Sequence, residues 1–195
     1  MLTMKITSLS KQLSFILQVV ISFYCMSTLG DYSFDIIDGL PITLQSLLMV
    51  WFALIFGLRV GLTAVLLYLL AGGLGLGVFS GGASGWAHFS SSTDGFLLAF
   101  PIGAPLIAGK ASDWLKSREN PQKYIFLSSA FILLLSQTTI LLMGLYWLNS
   151  VSQDPLSLDK AIQIFGPGLL VKTAIGTMAY VAALRIFYRH YKQLS

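Results

Sequence analysis

One lysine stands where a lysine is costly. Lys172 closes the run Gly166-Pro167-Gly168-Leu169-Leu170-Val171-Lys172, which is otherwise apolar. An ammonium inside an apolar segment needs a wet cavity or an anionic partner. Pro167 suits the first turn of a helix, and a helix N-terminus carries partial positive charge. On this reading Lys172 and a helix N-terminus form a receptor for a carboxylate near the outer end of the segment. Thr43 and Gln45, in Pro41-Ile42-Thr43-Leu44-Gln45, add polar groups at the entrance to another apolar run. The Gln45 carboxamide both donates and accepts hydrogen bonds. Tyr68 and Phe79 flank a glycine-rich stretch and are candidate pocket walls.

A nucleophilic reading is weaker. Gly82-Ala83-Ser84-Gly85 fits G-x-S-G, the serine pattern of intramembrane proteases. That chemistry needs a histidine at membrane depth to take the serine proton. The chain has two histidines. His88 lies in the same polar loop and reads as a solvated residue, and His190 lies beside Arg189 beyond the last apolar run. The chain has no G-x-x-x-x-G-K-[ST] loop, so it offers no ATPase site of its own of that type. A single cysteine, Cys25, excludes a disulfide framework. No metal cluster or cofactor motif is present. The expectation from these residues is ligand binding and not enzyme chemistry.

The elements that must position these residues are apolar. Of 195 residues, 55% are hydrophobic and 10% charged. A soluble domain carries about a quarter charged residues, so the solvent for most of this chain is membrane lipid. A nucleic-acid binder would show a basic stripe, which is absent. Six stretches approach the ~20 apolar residues that a span requires. They cover about 12–29, 43–58, 60–79, 96–115, 124–148 and 165–188, within one transmembrane domain over 1–195. Only Gly57 and Arg59 mark the break between the second and third. The glycines from Gly72 to Gly77 fit a broken end to the third.

Charge assigns the sides. Threading six spans puts Lys5, Lys11, Arg59, Lys110, Lys116, Arg118, Lys123, Arg185, Arg189 and Lys192 on one face. Asp31, Asp35, Asp38, Asp94, Asp154 and Asp159 fall on the other. Basic short loops stay in the cytoplasm, so both termini are expected inside.

Three segments carry a family resemblance. They are Pro41-Ile42-Thr43-Leu44-Gln45, the stretch from Leu67 through Gly72-Gly73 to Phe79-Ser80-Gly81-Gly82, and Pro167-Gly168 with Lys172. In order and spacing the chain resembles the BioY family, the biotin-binding S subunits of energy-coupling factor (ECF) transporters. The resemblance implies an all-α, six-helix S-component bundle in the bacterial inner (cytoplasmic) membrane. It implies capture of biotin from outside and delivery inward, with an ECF coupling transmembrane subunit and ATPase subunits as partners. It also implies biotin contacts at Lys172, for the valerate carboxylate, and at Gln45, Thr43, Tyr68, Phe79, Gly81, Gly82 and Ser84. The family's polar residue after the third span is Ala83 here, and its aspartate after Pro-Gly is Leu169. Asp94, at a family glycine position, is the candidate replacement for that acid. These changes support an alternative, an S subunit for another small carboxylate-bearing ligand.

Overall fold

The computed structural model describes residues 2–30, 32–37, 40–90, 94–116, 124–153 and 155–194. Side chains are described over a narrower set, which excludes residues 2–8, 33–42, Asp94 and 187–194. Helix dominates. Helix α1 runs Leu2–Leu29, α2 Gln45–Phe56 and α3 Leu58–Gly73. Helix α4, Asp94–Pro101, continues as a π-helix over Ile102–Gly109 and then as α5, Lys110–Lys116. Two long helices follow, α6 at Ile125–Val151 and α7 at Leu158–Leu194. A short antiparallel ribbon, β1 Ser33–Ile37 and β2 Leu40–Thr43, links α1 to α2. Among the described residues four helical stretches are long and apolar enough to cross a membrane: Leu9–Leu29, Gly95–Lys116, Ile125–Val151 and Leu158–Ile186. Helices α2 and α3 are shorter.

The helices are apolar all round, so burial follows shape and polarity. On α1 the buried residues Val19, Ser22 and Met26 share one face, while Leu13, Ile16, Leu17, Val20 and Tyr24 are exposed. Helix α6 buries Ser129, Ile132, Leu133, Ser136, Gln137 and Ile140, spaced three and four apart, and exposes Phe131, Leu134, Leu135 and Leu142. Its polar side chains Ser129, Ser136 and Gln137 therefore face inward. Such a distribution suits helices packed in lipid, where polar groups belong between helices.

Two features hold α2 and α3 in place. Gly57 breaks the chain between them at φ 93°, a conformation that suits glycine. Asp113 on α5 packs against Gly57 and accepts a hydrogen bond from the Leu58 N–H at 3.1 Å. This caps the start of α3 from a distant element. Lys116 donates to the Ile55 carbonyl at 2.8 Å, near the end of α2. The two charges thus treat the two facing helix ends in the favourable sense.

Between α4 and α5 the π-helix contains Pro105 and follows Pro101. Each proline lacks an N–H and cannot complete the α-helical ladder. Wider turns accommodate them, as in π-segments generally.

The start of α7 differs from the sequence expectation. Pro167 lies inside a helix that begins at Leu158, not in a first turn. The residues before Gly166 add two turns to the helix at its N-terminal end. The α7 N-terminus is accordingly remote from Lys172, which stands midway along Leu158–Ile186 and not near an outer end.

Candidate functional site

A cavity of about 310 Å³ lies between α2, α4, α6, α7 and the loop after α3. That size falls at the lower end for small-molecule sites, roughly 300–1,000 Å³. The ribbon and α2 contribute Thr43, Gln45 and Ser46. The loop contributes Phe79, Ser80 and His88, and α4 supplies Phe96 and Phe100. Gln137 and Ile140 come from α6, and Phe165, Leu169 and Lys172 from α7. No carboxylate lines it among the described residues. Among the described residues, Lys172 is the only lysine or arginine in its wall.

The lysine is held without an acid. Its ammonium donates to Ser46 Oγ at 3.1 Å. Ser46 sits in the first turn of α2, whose N-cap, Leu44, makes no side-chain cap bond. The helix N-terminus beside the cavity is thus that of α2. Its outward N–H groups and the lysine share one region, a setting suited to an anion. The helix N-terminus expected beside the lysine was that of the last span, whereas the one found there belongs to α2.

Gln45 is fixed from behind. Its Nε2 donates to the Tyr68 hydroxyl, which in turn donates to the Val78 carbonyl. Tyr68 is 0% exposed and does not line the cavity; it supports a residue that does. Tyr68 also meets Phe79 edge-on, with ring centroids 5.7 Å apart.

Phe79 is 1% exposed and forms part of the inner wall. Its ring lies on Gly72, where a Cβ would collide with it. His88 also stacks on this ring, with centroids 5.7 Å apart. The histidine read from sequence as a solvated loop residue is half-buried and lines the cavity. Nothing local in the sequence separates it from a solvent-facing loop residue, because the stacking partner is nine positions away.

The remaining expected residues lie elsewhere. A tight turn over Ser80–Gly82, with Gly81 at φ 70° and Gly82 at φ 73°, closes the Phe79–Ala83 bridge. It directs Phe79 and Ser80 to the cavity and leaves Gly81, Gly82 and Ser84 exposed on the outside. The Asp94 side chain lies outside the described residues. Leu169, where the resemblance expects an acid, lines the cavity as an apolar residue. Sequence reasoning missed Gln137, Ser46, Phe96, Phe100 and Phe165. Gln137 carried a signal, since a carboxamide within the longest apolar run is a site candidate by position alone.

Comparison with known proteins places these features. The BioY family model matches residues 4–190. The chain is 35% identical over 91 residues to the probable biotin transporter BioY of Pyrococcus horikoshii, covering 47% of this chain and 56% of that one. It is 36% identical over 118 residues to biotin transporter BioY2 of Lactococcus lactis, covering 60% of each. The chain thus matches a little over half the length of these curated relatives. A crystal structure of the S-component for biotin from an ECF-type ABC transporter shares the fold, with a TM-score of 0.76 and 22% identity, covering 90% of this chain and 93% of that one.

Proposed function

Because this chain belongs to the BioY family, we propose that it takes up biotin, capturing it from outside the cell and delivering it inward as an S subunit. The observation that carries the reading is Lys172, an ammonium that among the described residues is bound to Ser46 and shares its cavity wall with no carboxylate. Such a site favours a ligand with one negative charge and an apolar body. Biotin has a valerate carboxylate, an aliphatic chain and a polar ureido ring. Lys172, Ser46 and the first turn of α2 hold the carboxylate. Phe79, Phe96 and Phe165 enclose the chain and ring. Gln45 and Thr43 supply polar contacts, and Tyr68 keeps Gln45 in position. Asp94 remains a candidate for the ring from the lid.

The chain crosses the bacterial inner membrane six times with both termini in the cytoplasm. The charge distribution supports this threading. Helices α2 and α3, at ~1.5 Å per residue, are shorter than a ~30 Å hydrocarbon core. The ribbon before α2 and the irregular stretch after α3 complete those crossings at the cavity, where non-helical backbone is tolerated because it is not in lipid. A coupling transmembrane subunit and two ATPase subunits supply the energy.

Radiolabelled biotin uptake tests the reading in a biotin-auxotrophic host. The chain is expressed alone and then with coupling and ATPase subunits. Uptake that depends on this chain is expected. No uptake in either arm sinks the biotin reading and favours another small carboxylate-bearing ligand, the alternative that the apolar Leu169 supports.

A further inference from the structure

Gln137 is the least explained polar group in the cavity wall. It is 3% exposed, and neither its Nε2 nor its Oε1 meets a partner among the described residues. It lies near the middle of α6, the longest apolar span after α7. Ile140 and Leu141, three and four residues on, border the same cavity, so the α6 face turned to the ligand includes the carboxamide. A buried carboxamide with all its hydrogen bonds unmade is costly, and each such group calls for an explanation. Packing does not supply one, since a leucine or methionine would fill the same space without the cost.

The carboxamide has a defined complement. It carries an acceptor and donors side by side, so it pairs with a group that presents a donor and an acceptor side by side. The carboxylate end of the ligand has acceptors only, and Lys172 and Ser46 provide donors for it. A cyclic urea has an N–H next to its C=O. We propose that Gln137 reads the ureido edge of the ligand through a two-hydrogen-bond pair, and so sets specificity for the head group. The inference rests on the biotin reading and assigns the polar ring contact to α6. Neither Ala83 nor Leu169 can serve that edge with a side chain.

The test uses the full chain, purified, with the near-isosteric variant Gln137→Met. Three quantities are read: biotin affinity by titration calorimetry, the preference for biotin over uncharged biotinamide, and the melting temperature without ligand. The expected result is a loss of biotin affinity of about ten- to a hundredfold. The preference for biotin over biotinamide is retained, because the carboxylate site is untouched. The unliganded melting temperature does not fall, because an unsatisfied buried group is removed. Wild-type affinity in Gln137→Met overturns the inference, and so does a lowered unliganded melting temperature with both ligands weakened alike. If the wild-type chain itself binds no biotin, the biotin reading fails and this assignment fails with it. Biotin binding by wild type together with an indifferent Gln137→Met removes the inference alone.

Discussion

Tyr68 decides which way the Gln45 carboxamide points. The phenol has one hydrogen, and it goes to the Val78 carbonyl, which can only accept. The phenolic oxygen must therefore accept from Gln45, which commits the amide nitrogen to the interior. Oε1 is then the Gln45 atom left for the cavity. A fully buried tyrosine on α3 thereby sets the hydrogen-bonding character of a residue on α2.

Removing that hydroxyl tests the relay. Tyr68→Phe leaves the Gln45 amide and the Val78 carbonyl without their partner. We expect a stability loss of about 1–3 kcal/mol and weaker ligand binding, measured by thermal melting and titration. Gln45→Leu has its own cost. In the double variant the two effects on binding fall short of their sum, because both act through one hydrogen-bonded pair.

Lys172→Met should cost binding selectively. A charge-assisted hydrogen bond is worth about 1.5–3 kcal/mol, or roughly ten- to 150-fold in affinity. Biotin should lose that much while biotinamide, which has no carboxylate, changes little. Equal losses for both ligands would place the lysine's role outside carboxylate recognition.

Gly72→Val should act through Phe79. A side chain at Gly72 meets the Phe79 ring, which must leave its place between Tyr68 and His88. Overpacking of this kind costs ~1–3 kcal/mol. Reduced affinity with faster ligand release is the expected outcome, read by stopped-flow release of a fluorescent biotin derivative.

At the other end of α3, Asp113→Ala should destabilise without touching the cavity. Loss of the cap on Leu58 is expected to cost about 0.5–2 kcal/mol. Gly57→Ala should also destabilise, since φ 93° strains any side chain and Asp113 occupies the space. Melting temperature falls in both variants, while the affinity of the protein that remains folded stays near wild type.

Topology is open to labelling because Cys25 is the single native cysteine. In a Cys25→Ser background, Ser84→Cys should react with an impermeant maleimide on intact cells. Arg59→Cys should react only after permeabilisation. Ser84 and Arg59 are both exposed, so reversed labelling would overturn the proposed orientation.

Composition and order determined a good deal without a structure. Sparse charge named lipid as the solvent, and helices are the economical answer to lipid because they satisfy their own backbone. The glycine and proline motifs indicated the family, and Lys172 stood out because one charge in an apolar run has a large local cost. These signals are local, so the sequence carries them openly.

What depended on tertiary structure was direction and partnership. The two turns before Gly166 lengthened α7 and moved Lys172 to mid-span, which no motif announced. The helix N-terminus beside the lysine proved to be that of α2, brought there by packing across 126 positions. Tyr68 became a support and not a wall because the Val78 carbonyl, ten residues on, folds back to accept its hydrogen bond. Gly81 and Gly82 were turned outward by left-handed backbone in a three-residue turn, and Ser84 follows them on the exposed side. Position alone marked Gln137, but its availability to a ligand emerged only once the described residues around it were seen to offer it no hydrogen bond. Each of these is a relation between residues far apart in the chain, and packing alone sets such relations.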